Sequence, residues 1–400
     1  MRRILFVDDE TRVLQGLSRM MRYMQREWQM DFVDSGEKAV NLFEQSPYDA
    51  VVTDMRMPCM SGAELLQIIC DRFPGTLRVI LSGQSEKQAI LRSLECTHRY
   101  HAKPCEAASI VQILNEAFDT LFSESPKLRA KLTGIRNLPY RQDIGHQIKS
   151  ICQAQAHTLA ELTHTVSQDV ALSIRLLHLA NSSFFSAPGT VADLNSAVLL
   201  LGADGVSQVN EIVQQRQREE ASCSAAMQDF ARNVGEHSYL VARAAARIAR
   251  LERRSEAEVG AAFTAGILHD AGRLAMMAGM PTEYEGVVAE CASHPDDIEH
   301  LERRIFGFDH GDAGRYMLSL MGISQSAVDA ATFHHRPRDL QCKEFSVAAA
   351  IHVADSTVRC AGGGHQGSST GFIDLEYLQH IGCAHRLEQW QHETKRELQA

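Results

Sequence analysis

The chain has 400 residues, of which 44% are hydrophobic and 22% are charged, and this length exceeds what one hydrophobic core usually supports. The formal net charge of −10, without any basic run, argues against a nucleic-acid-binding protein. The ten cysteines form no metal-type or redox-type spacing, and no apolar run approaches the ~20 residues of a membrane-spanning helix. We therefore expect a cytoplasmic protein of two or more domains that does not insert into a membrane.

Five short apolar runs alternate with helix-like segments over residues 1–122. The runs are Ile4–Val7, Met30–Val33, Ala50–Thr53, Leu77–Leu81 and Arg99–Ala102. Alternation of this kind is typical of an α/β fold with a doubly wound parallel sheet. Ligands of such sheets bind beyond the carboxyl ends of the strands. The polar residues that follow the runs are therefore the first candidates for a functional site.

Polar side chains follow four of these runs. Asp8 and Asp9 follow the first run, and Asp54 ends the third. Ser82 ends the fourth run, and Lys103 ends the fifth. Three clustered carboxylates favour a hard divalent cation, most simply Mg²⁺, and a nearby ammonium and hydroxyl would bind phosphoryl oxygens. Asp54 is then predicted to be the nucleophile that accepts a phosphoryl group.

The motifs Val-Asp-Asp-Glu, Asp-Met-Arg-Met-Pro with Gly62, Leu-Ser-Gly and Lys-Pro occur in this order. Together they resemble the receiver domain of two-component response regulators, and the resemblance covers residues 1–122. It implies a flavodoxin-like fold with a five-stranded parallel sheet. It also implies that a sensor histidine kinase phosphorylates Asp54, and that Asp8, Asp9 and Asp54 hold Mg²⁺.

The same resemblance implies a switch pair formed by Ser82 and Tyr100. The Ser82 hydroxyl would follow the phosphoryl group while the Tyr100 ring moves inward. Tyr100 lies three residues before Lys103, a position that fits this role. The face that carries Tyr100 would then change its contacts, either with the output domain or with a second copy of the chain in a homodimer.

Residues 123–132 are polar and contain Pro126, and we predict a linker there. Because it is short, it favours packed domains or a continuous helical lever over free tethering. Beyond it the strand pattern disappears, and apolar residues recur at helical spacing. We predict an all-α domain over residues 133–360, with a long helix from about Met227 to Leu251 and a helix end at Gly202. Residues 361–400 are predicted to begin with a flexible Gly-rich and Ser-rich break and to end in a helical tail.

Several segments of the second domain resemble the HDOD domain, an output module related to the HD phosphohydrolases. They are Gln168–Leu172, Arg175–Ser182, Ser196–Val198, Leu200–Gly202 and, upstream, Asn137–Pro139. The resemblance covers about residues 130–360. It implies a helical fold that signals through contacts with a downstream protein more often than through catalysis.

The residues His237, His269-Asp270 and Asp355 occur in the order that defines the HD superfamily. Mixed imidazole and carboxylate ligands favour Fe, Mn, Zn or Ni over Mg²⁺. Neighbouring helical residues point about 100° apart, so His269 and Asp270 can share a metal only in a crevice between helices. We predict a metal site built from these four residues.

Three further histidines have the relative positions that complete a second metal site in the bimetallic HD-GYP phosphodiesterases: His310, His334 and His335. A second metal would let Asp270 bridge the two ions, and a bridging hydroxide could then attack a phosphodiester. Two departures weaken this comparison. The segment after His335 lacks a Gly-Tyr-Pro signature, and Asn233 stands four residues before the first HD histidine, where that family often has a carboxylate.

Two functions from different classes stay open. The leading hypothesis is a response regulator in which phosphorylation controls an HDOD domain that acts through protein–protein contacts. The rival hypothesis is a phosphorylation-gated, metal-dependent phosphohydrolase or cyclic-dinucleotide phosphodiesterase. A transcription factor is disfavoured by the net charge and by the lack of a basic recognition helix.

Overall fold

The chain forms two compact units in the computed structural model. Residues 1–83, 90–91, 93–104, 106–154, 158–182, 185, 190–219, 224–293, 298–361 and 373–399 are described. The first unit comprises Met1–Arg136, Asn181–Pro188 and Leu320–Gly322, and the second comprises Asn137–Ala180, Gly189–Ser319 and Ile323–Ala400. Across the described ranges, every helix falls short of the length and apolar character that a membrane crossing needs.

A five-stranded parallel sheet forms the centre of the first unit. Its strands are β1 (Arg2–Val7), β2 (Trp28–Val33), β3 (Ala50–Asp54), β4 (Leu77–Ser82) and β5 (Arg99–Ala102). They are arranged in the order β2-β1-β3-β4-β5, and all neighbouring strands are parallel. Every residue of β3 and β4 is buried, which explains their continuous apolar runs. The predicted doubly wound α/β fold is confirmed.

The helices of the first unit are α1 (Thr11–Met20), α2 (Gly36–Gln45), α3 (Gly62–Arg72), α4 (Ala107–Ser123) and α5 (Pro126–Leu132). Ser61 caps α3 in a capping box with Glu64, which satisfies two backbone donors at the helix start. Gly62 follows the cap, and a Cβ on it would overlap the carbonyl oxygen of Asp54. Glycine therefore lets α3 begin directly against the end of β3.

The segment that we predicted as a linker, residues 123–132, is largely helical and belongs to the first unit. Pro126 occupies the first turn of α5, where a missing backbone N–H costs nothing, and the Ser125 hydroxyl accepts the Leu128 N–H. Leu128 and Leu132 are both buried. The boundary between the two units lies between Arg136 and Asn137.

The second unit is helical, as predicted. Its helices are α6 (Gln142–Gln153), α7 (Leu159–Val166), α8 (Val170–Ala180), α9 (Leu194–Glu219), α10 (Ala225–Leu251), α11 (Glu256–Leu268), α12 (Ala271–Gly279), α13 (Pro281–Ser293), α14 (Ile298–Phe306), α15 (His310–Leu320), α16 (Gln325–Phe333), α17 (Val347–Ala361), α18 (Leu375–His380) and α19 (Leu387–Gln399). Gly202, with φ of +69°, interrupts α9 where we predicted a helix end.

The long helix α10 is the packing centre of the second unit. It contacts α11, α17 and α19, while α11 also contacts α16 and α17. A Cβ on Gly266 of α11 would lie too close to the backbone of Ala242, so glycine sets the short distance between α10 and α11. Within the tail, Trp390 of α19 is fully buried and donates its indole N–H to Glu252 at 3.0 Å. The predicted Gly-rich break at residues 362–370 lies outside the described residues.

Candidate functional site

The carboxyl edge of the sheet brings three of the predicted residues together. The Lys103 ammonium lies 2.7 Å from Asp8 Oδ2 and also contacts Asp54 Oδ1. The second oxygen of Asp54 accepts the Arg56 N–H at 2.8 Å, and Asp8 Oδ1 accepts the Glu10 N–H at 2.9 Å. Both carboxylates are therefore oriented by backbone donors on one side and by a shared ammonium on the other.

The charge of Lys103 is maintained by these two carboxylates. Burial lowers the pKa of Lys103, but its hydrogen bonds to Asp54 and Asp8 raise the pKa by more, so the net shift is upward. The ammonium is therefore protonated at neutral pH. A fixed cation next to a nucleophilic carboxylate can neutralise the oxygens of an incoming phosphoryl group.

Ser82 and Tyr100, the predicted switch pair, lie on the neighbouring strands β4 and β5. Ser82 is buried, and its hydroxyl has no hydrogen-bond partner within the described part of the chain. Tyr100 is 5% exposed, and its hydroxyl lies 3.2 Å from Ser93 Oγ and 3.4 Å from the carbonyl oxygen of Ile90. The ring therefore points inward, and the unsatisfied Ser82 hydroxyl is available to a ligand.

The predicted Mg²⁺ ligands are only partly assembled. Asp8 and Asp54 meet at Lys103, whereas Asp9 is exposed. Among the described residues, the groups of three or more metal-type ligands whose donor atoms lie within 4.8 Å of one another are in the second unit. A Mg²⁺ site made by Asp8, Asp9 and Asp54 therefore stays a prediction.

In the second unit, all the residues predicted for the two metal sites converge. One group contains His237, His269 and Asp355, and the other contains Asp270, His310, His334 and His335. Asp270, which we predicted to belong with the first group, is therefore grouped with the three further histidines. Within each group the ligand atoms lie within 4.8 Å of one another. These side chains come from α10, α15 and α17 and from the C-terminal ends of α11 and α16, so they meet in a crevice between helices.

Asp270 belongs to the second group, but its side chain also faces the first group. Its Oδ2 is 3.6 Å from His269 Nε2, whereas its Oδ1 is 3.5 Å from His310 Nε2 and 3.6 Å from His334 Nε2. One carboxylate therefore presents an oxygen to the imidazoles of each group. This arrangement is the one that a ligand bridging two cations requires.

Asp355 is the second carboxylate of the cluster. Its Oδ1 is 2.8 Å from His237 Nε2 and 3.8 Å from His269 Nε2. The Arg359 guanidinium donates to the same oxygen at 2.8 Å, and His335 Nδ1 lies 3.9 Å from Oδ2. Asp355 therefore contacts His237 of its own group and also lies near His335, the partly exposed histidine of the second group.

Three of the histidines are oriented by acceptors behind them. The pairs are His269 Nδ1 with the Gly266 carbonyl at 2.7 Å, His334 Nδ1 with the Ala331 carbonyl at 3.0 Å, and His310 Nδ1 with Glu302 Oε2 at 2.7 Å. An Nδ1–H donor leaves Nε2 with a free lone pair that faces the cluster. These three Nε2 atoms and both oxygens of Asp270 are buried without a hydrogen-bond partner among the described residues. Arg273 Nε forms an ion pair with Asp270 Oδ1 at 3.2 Å. Imidazole nitrogens and carboxylate oxygens that converge in this way, with their hydrogen-bonding capacity unused, fit metal ions.

The electrostatics keep several ligands in their metal-binding protonation states. Burial lowers the pKa of His269 to about 3 and lowers that of His335 well below its ordinary value, so both imidazoles are neutral. Burial raises the pKa of Asp270, but Arg273 and His269 lower it by more, so Asp270 is ionised. The pKa of His310 shifts in the opposite direction to that of the other two histidines: burial lowers it, but the neighbouring Glu302 carboxylate raises it by more.

Solvent reaches the cluster from one side. The side chains of His237, His335 and Arg359 are 21%, 17% and 24% exposed, whereas those of His269 and Asp270 are completely buried. After His335 the chain turns into a 3-10 helix over Pro337–Leu340, in place of a Gly-Tyr-Pro segment. The segment after His335 therefore differs from the one that the HD-GYP comparison implies.

The sequence analysis missed the residues that hold the ligands in place. His352 donates from Nδ1 to the carbonyl oxygen of His334 at 2.6 Å. Its Nε2 accepts the Asp374 N–H at 2.9 Å. Its position three residues before Asp355 on α17 is a signal that could have linked it to the site.

Gly272 allows α12 to pass close to α15, because a Cβ on this residue would overlap the carbonyl oxygen of His310. We expect Gly272→Ala to lower the free energy of unfolding by about 1–3 kcal/mol and to displace His310 from the cluster. In Gly286→Ala the new Cβ meets nothing within 4 Å, so this control should be neutral or stabilising by up to about 1 kcal/mol. Urea unfolding of both variants measures the difference, and equal stabilities would contradict the packing argument.

The two units correspond to two known families. The family model described as "HDOD domain" matches residues 138–337, and the model described as "Response regulator receiver domain" matches residues 4–115. The hydrogenase transcriptional regulatory protein HoxA of Bradyrhizobium diazoefficiens is 32% identical over 116 residues, which are 28% of this chain and 23% of that protein. The response regulator receiver protein Anae109_2439 of Anaeromyxobacter sp. is 32% identical over 90 residues, which are 22% of this chain and 37% of that protein.

These similarities differ in extent. The chain spans only 23% and 24% of the length of the two HoxA proteins that it matches. Among solved structures, the MmoQ response regulator from Methylococcus capsulatus str. Bath is 23% identical with a TM-score of 0.47, covering 64% of this chain and 98% of that one. The HDOD model matches half of the sequence. The chain therefore belongs to the HDOD family and carries a response regulator receiver domain ahead of its HDOD domain.

Proposed function

We propose that this protein is a response regulator in which a sensor histidine kinase phosphorylates Asp54 and thereby controls the HDOD domain. The observation that supports this proposal is the Lys103 ammonium in contact with both Asp54 and Asp8 at the carboxyl edge of the sheet. A structural ion pair would need one carboxylate. Two carboxylates around one lysine, beside an unsatisfied Ser82 hydroxyl, fit a phosphoryl-accepting site.

The chemistry follows from these positions. A carboxylate oxygen of Asp54 forms the new O–P bond, while the N–P bond of the kinase phosphohistidine breaks and its imidazole leaves. Lys103 neutralises the phosphoryl oxygens, and the Ser82 hydroxyl donates a hydrogen bond to one of them. Mg²⁺, held by Asp8, Asp9 and Asp54, would supply further charge neutralisation when bound.

Replacing the acceptor tests the first step. We expect Asp54→Asn to abolish phosphorylation by radiolabelled acetyl phosphate, because an amide cannot form the acyl phosphate. Asp119→Asn is the matched control, because the Asp119 side chain is 80% exposed on α4, and it should be labelled like the wild type. Label retained in Asp54→Asn would refute the assignment of the acceptor.

For the output, we propose that the HDOD domain acts through contacts with a downstream protein and holds metal in its His and Asp cluster. The His237, His269 and Asp355 group and the Asp270, His310, His334 and His335 group would each hold one ion. The lack of a Gly-Tyr-Pro signature after His335 supports binding rather than turnover. Arg336 follows the ligand pair and forms an ion pair with Asp312 at 3.3 Å, which stabilises the Pro337–Leu340 turn beside it.

A second candidate function is metal-dependent phosphoester hydrolysis, which the central position of Asp270 favours. Two bound ions would supply an activated water and neutralise phosphate charge. The residues of the chain would orient the ions through Asp270 and admit substrate at the exposed side near His237 and His335. Hydrolysis of bis-p-nitrophenyl phosphate that disappears in the His269→Ala, Asp270→Ala double variant would rank this function first. Fully metal-loaded protein without turnover would favour the contact function.

A further inference from the structure

Glu302 is a buried carboxylate that the ligand groups do not include. It lies on α14 and is completely buried. Its Oε1 accepts the Tyr284 hydroxyl at 2.8 Å. Its Oε2 accepts both the His310 backbone N–H at 2.8 Å and the His310 Nδ1–H at 2.7 Å. Both carboxylate oxygens are therefore occupied by donors, and two of the three bonds come from a single metal ligand.

Burying a carboxylate is costly unless several donors compensate, so a glutamate at this position calls for a reason beyond packing. Its contacts with His310 supply one. The Nδ1–H bond selects the tautomer of His310 in which Nε2 has a free lone pair, and Nε2 lies 3.5 Å from Asp270 Oδ1. The backbone bond fixes the first residue of α15 at the same time.

Tyr284 of α13 extends this chain of hydrogen bonds. It is completely buried, and its hydroxyl contributes the donor that holds the far oxygen of Glu302. The carboxylate cannot rotate without losing that bond, so the oxygen that faces His310 is fixed. The three residues form a series from Tyr284 through Glu302 to His310, which ends at the Asp270 group.

We propose that Glu302 and Tyr284 are positioning residues that orient His310 and so strengthen the binding of one of the two metal ions. This inference rests on the proposed metal site of the HDOD domain. The effect is selective, because Glu302 contacts a ligand of the Asp270, His310, His334 and His335 group. The contacts that orient the His237, His269 and Asp355 group are made by Gly266 and Arg359 instead.

The test compares metal binding by the full-length wild type with that of three variants: Glu302→Gln, Tyr284→Phe and Glu290→Gln. Glu290 is the matched control, because its exposed carboxylate pairs with Arg304 of the same helix as Glu302. Each protein is stripped with a chelator and titrated with Zn²⁺ against a chromophoric competitor.

We expect the wild type and Glu290→Gln to bind two ions. Glu302→Gln should bind one of the two ions about 10–100-fold more weakly and the other with unchanged affinity. Tyr284→Phe should shift the same ion by a smaller factor.

The outcomes separate the inference from the proposal beneath it. A wild type that binds no Zn²⁺ removes the metal site, and the positioning role falls with it. A wild type that binds two ions, with a Glu302→Gln variant that binds both equally well, overturns the positioning role alone. Equal weakening of both ions also overturns it, because that is the result of a general loss of structure. Should Glu302→Gln fail to fold, unchanged affinities in Tyr284→Phe overturn the inference, and selective weakening of one ion supports it.

Discussion

Replacing Asp270 by alanine is expected to weaken metal binding by the HDOD domain more than any other single change. Asp270 is the one carboxylate of the group that contains His310, His334 and His335. Without it, that group has only imidazoles to hold a dication, and the first group loses the carboxylate oxygen 3.6 Å from His269 Nε2. We expect an affinity at least about 100-fold lower for the ion of the second group, which corresponds to about 2.7 kcal/mol.

Thermal unfolding makes this loss measurable without an assay of function. A ligand that binds the folded state alone stabilises it by about 4 kcal/mol at a concentration 1,000 times its dissociation constant. The wild type should therefore unfold at a higher temperature in Zn²⁺ or Mn²⁺ than in a chelator, and Asp270→Ala should lose most of that increase.

A matched acidic residue controls for the change of charge. Asp329 lies on α16, which leads into His334, and its carboxylate accepts a hydrogen bond from Gln325 at 2.7 Å. Asp329→Ala should retain the full metal-dependent increase in unfolding temperature. If Asp270→Ala and Asp329→Ala gained equal stability from metal, Asp270 would not be a ligand.

The receiver fold was predictable because each strand has its own local signal. A buried parallel strand is a continuous apolar run, and the polar residue that ends it marks the functional edge of the sheet. The first residues of two strands were predicted less accurately: β1 begins at Arg2 and β2 at Trp28, ahead of the predicted Ile4 and Met30. Arg2, Arg3 and Gln29 pair along the sheet through their backbone, so their polar side chains carry little strand signal, whereas Trp28 is a buried aromatic residue that the predicted run left out.

The metal-type ligands were predictable for a different reason. Their order along the chain resembles the order of the ligands in the HD superfamily, and the structure brings the seven residues into two groups. The residues that orient them were not predictable. Glu302 belongs to the run Ile-Glu-His-Leu-Glu-Arg, which has the composition of an ordinary surface helix. Its burial depends on how α14 packs against α13 and on where His310 begins α15, and the sequence spacing contains neither fact.

The segment 123–132 shows how composition can mislead. Its polar residues and Pro126 favoured a linker, yet proline at the first turn of a helix is a start signal. Leu128 and Leu132 lie four residues apart, as one face of a helix requires, and both are buried. Two leucines are too few to outweigh a polar composition when the sequence alone is considered.

The end of this segment is fixed to the sheet by Arg78, which is completely buried on β4. Its guanidinium donates to the carbonyl oxygens of Cys96 at 2.6 Å, Thr76 at 3.0 Å and Thr133 at 3.1 Å. It also lies 2.9 Å from His98 Nε2. One side chain therefore joins β4, the residues before β5 and the residue that follows α5.

Arg78→Met should consequently destabilise the receiver domain strongly. The methionine fills part of the space, but the carbonyl oxygen of Cys96 loses its donor at 2.6 Å, and that of Thr133 loses the one at 3.1 Å while keeping the His98 contact at 3.3 Å. A buried group left unsatisfied costs about 1–3 kcal/mol. Removal of a buried charge offsets part of this cost, so we expect a net loss of about 2–4 kcal/mol in the free energy of unfolding. Urea unfolding measures the loss, and amide hydrogen exchange over residues 126–133 should accelerate.

Arg72→Met is the control for removing an arginine from the same domain. Arg72 forms a surface ion pair with Glu44 at 2.7 Å, and such pairs contribute about 0–1 kcal/mol. If both variants lost the same stability, the buried guanidinium would not be what holds α5 to the sheet. If Arg78→Met alone accelerates exchange in α5, the segment that leads out of the receiver is a fixed extension of its sheet. Any change of the receiver on phosphorylation would then reach Asn137 through a rigid element and not through a free tether.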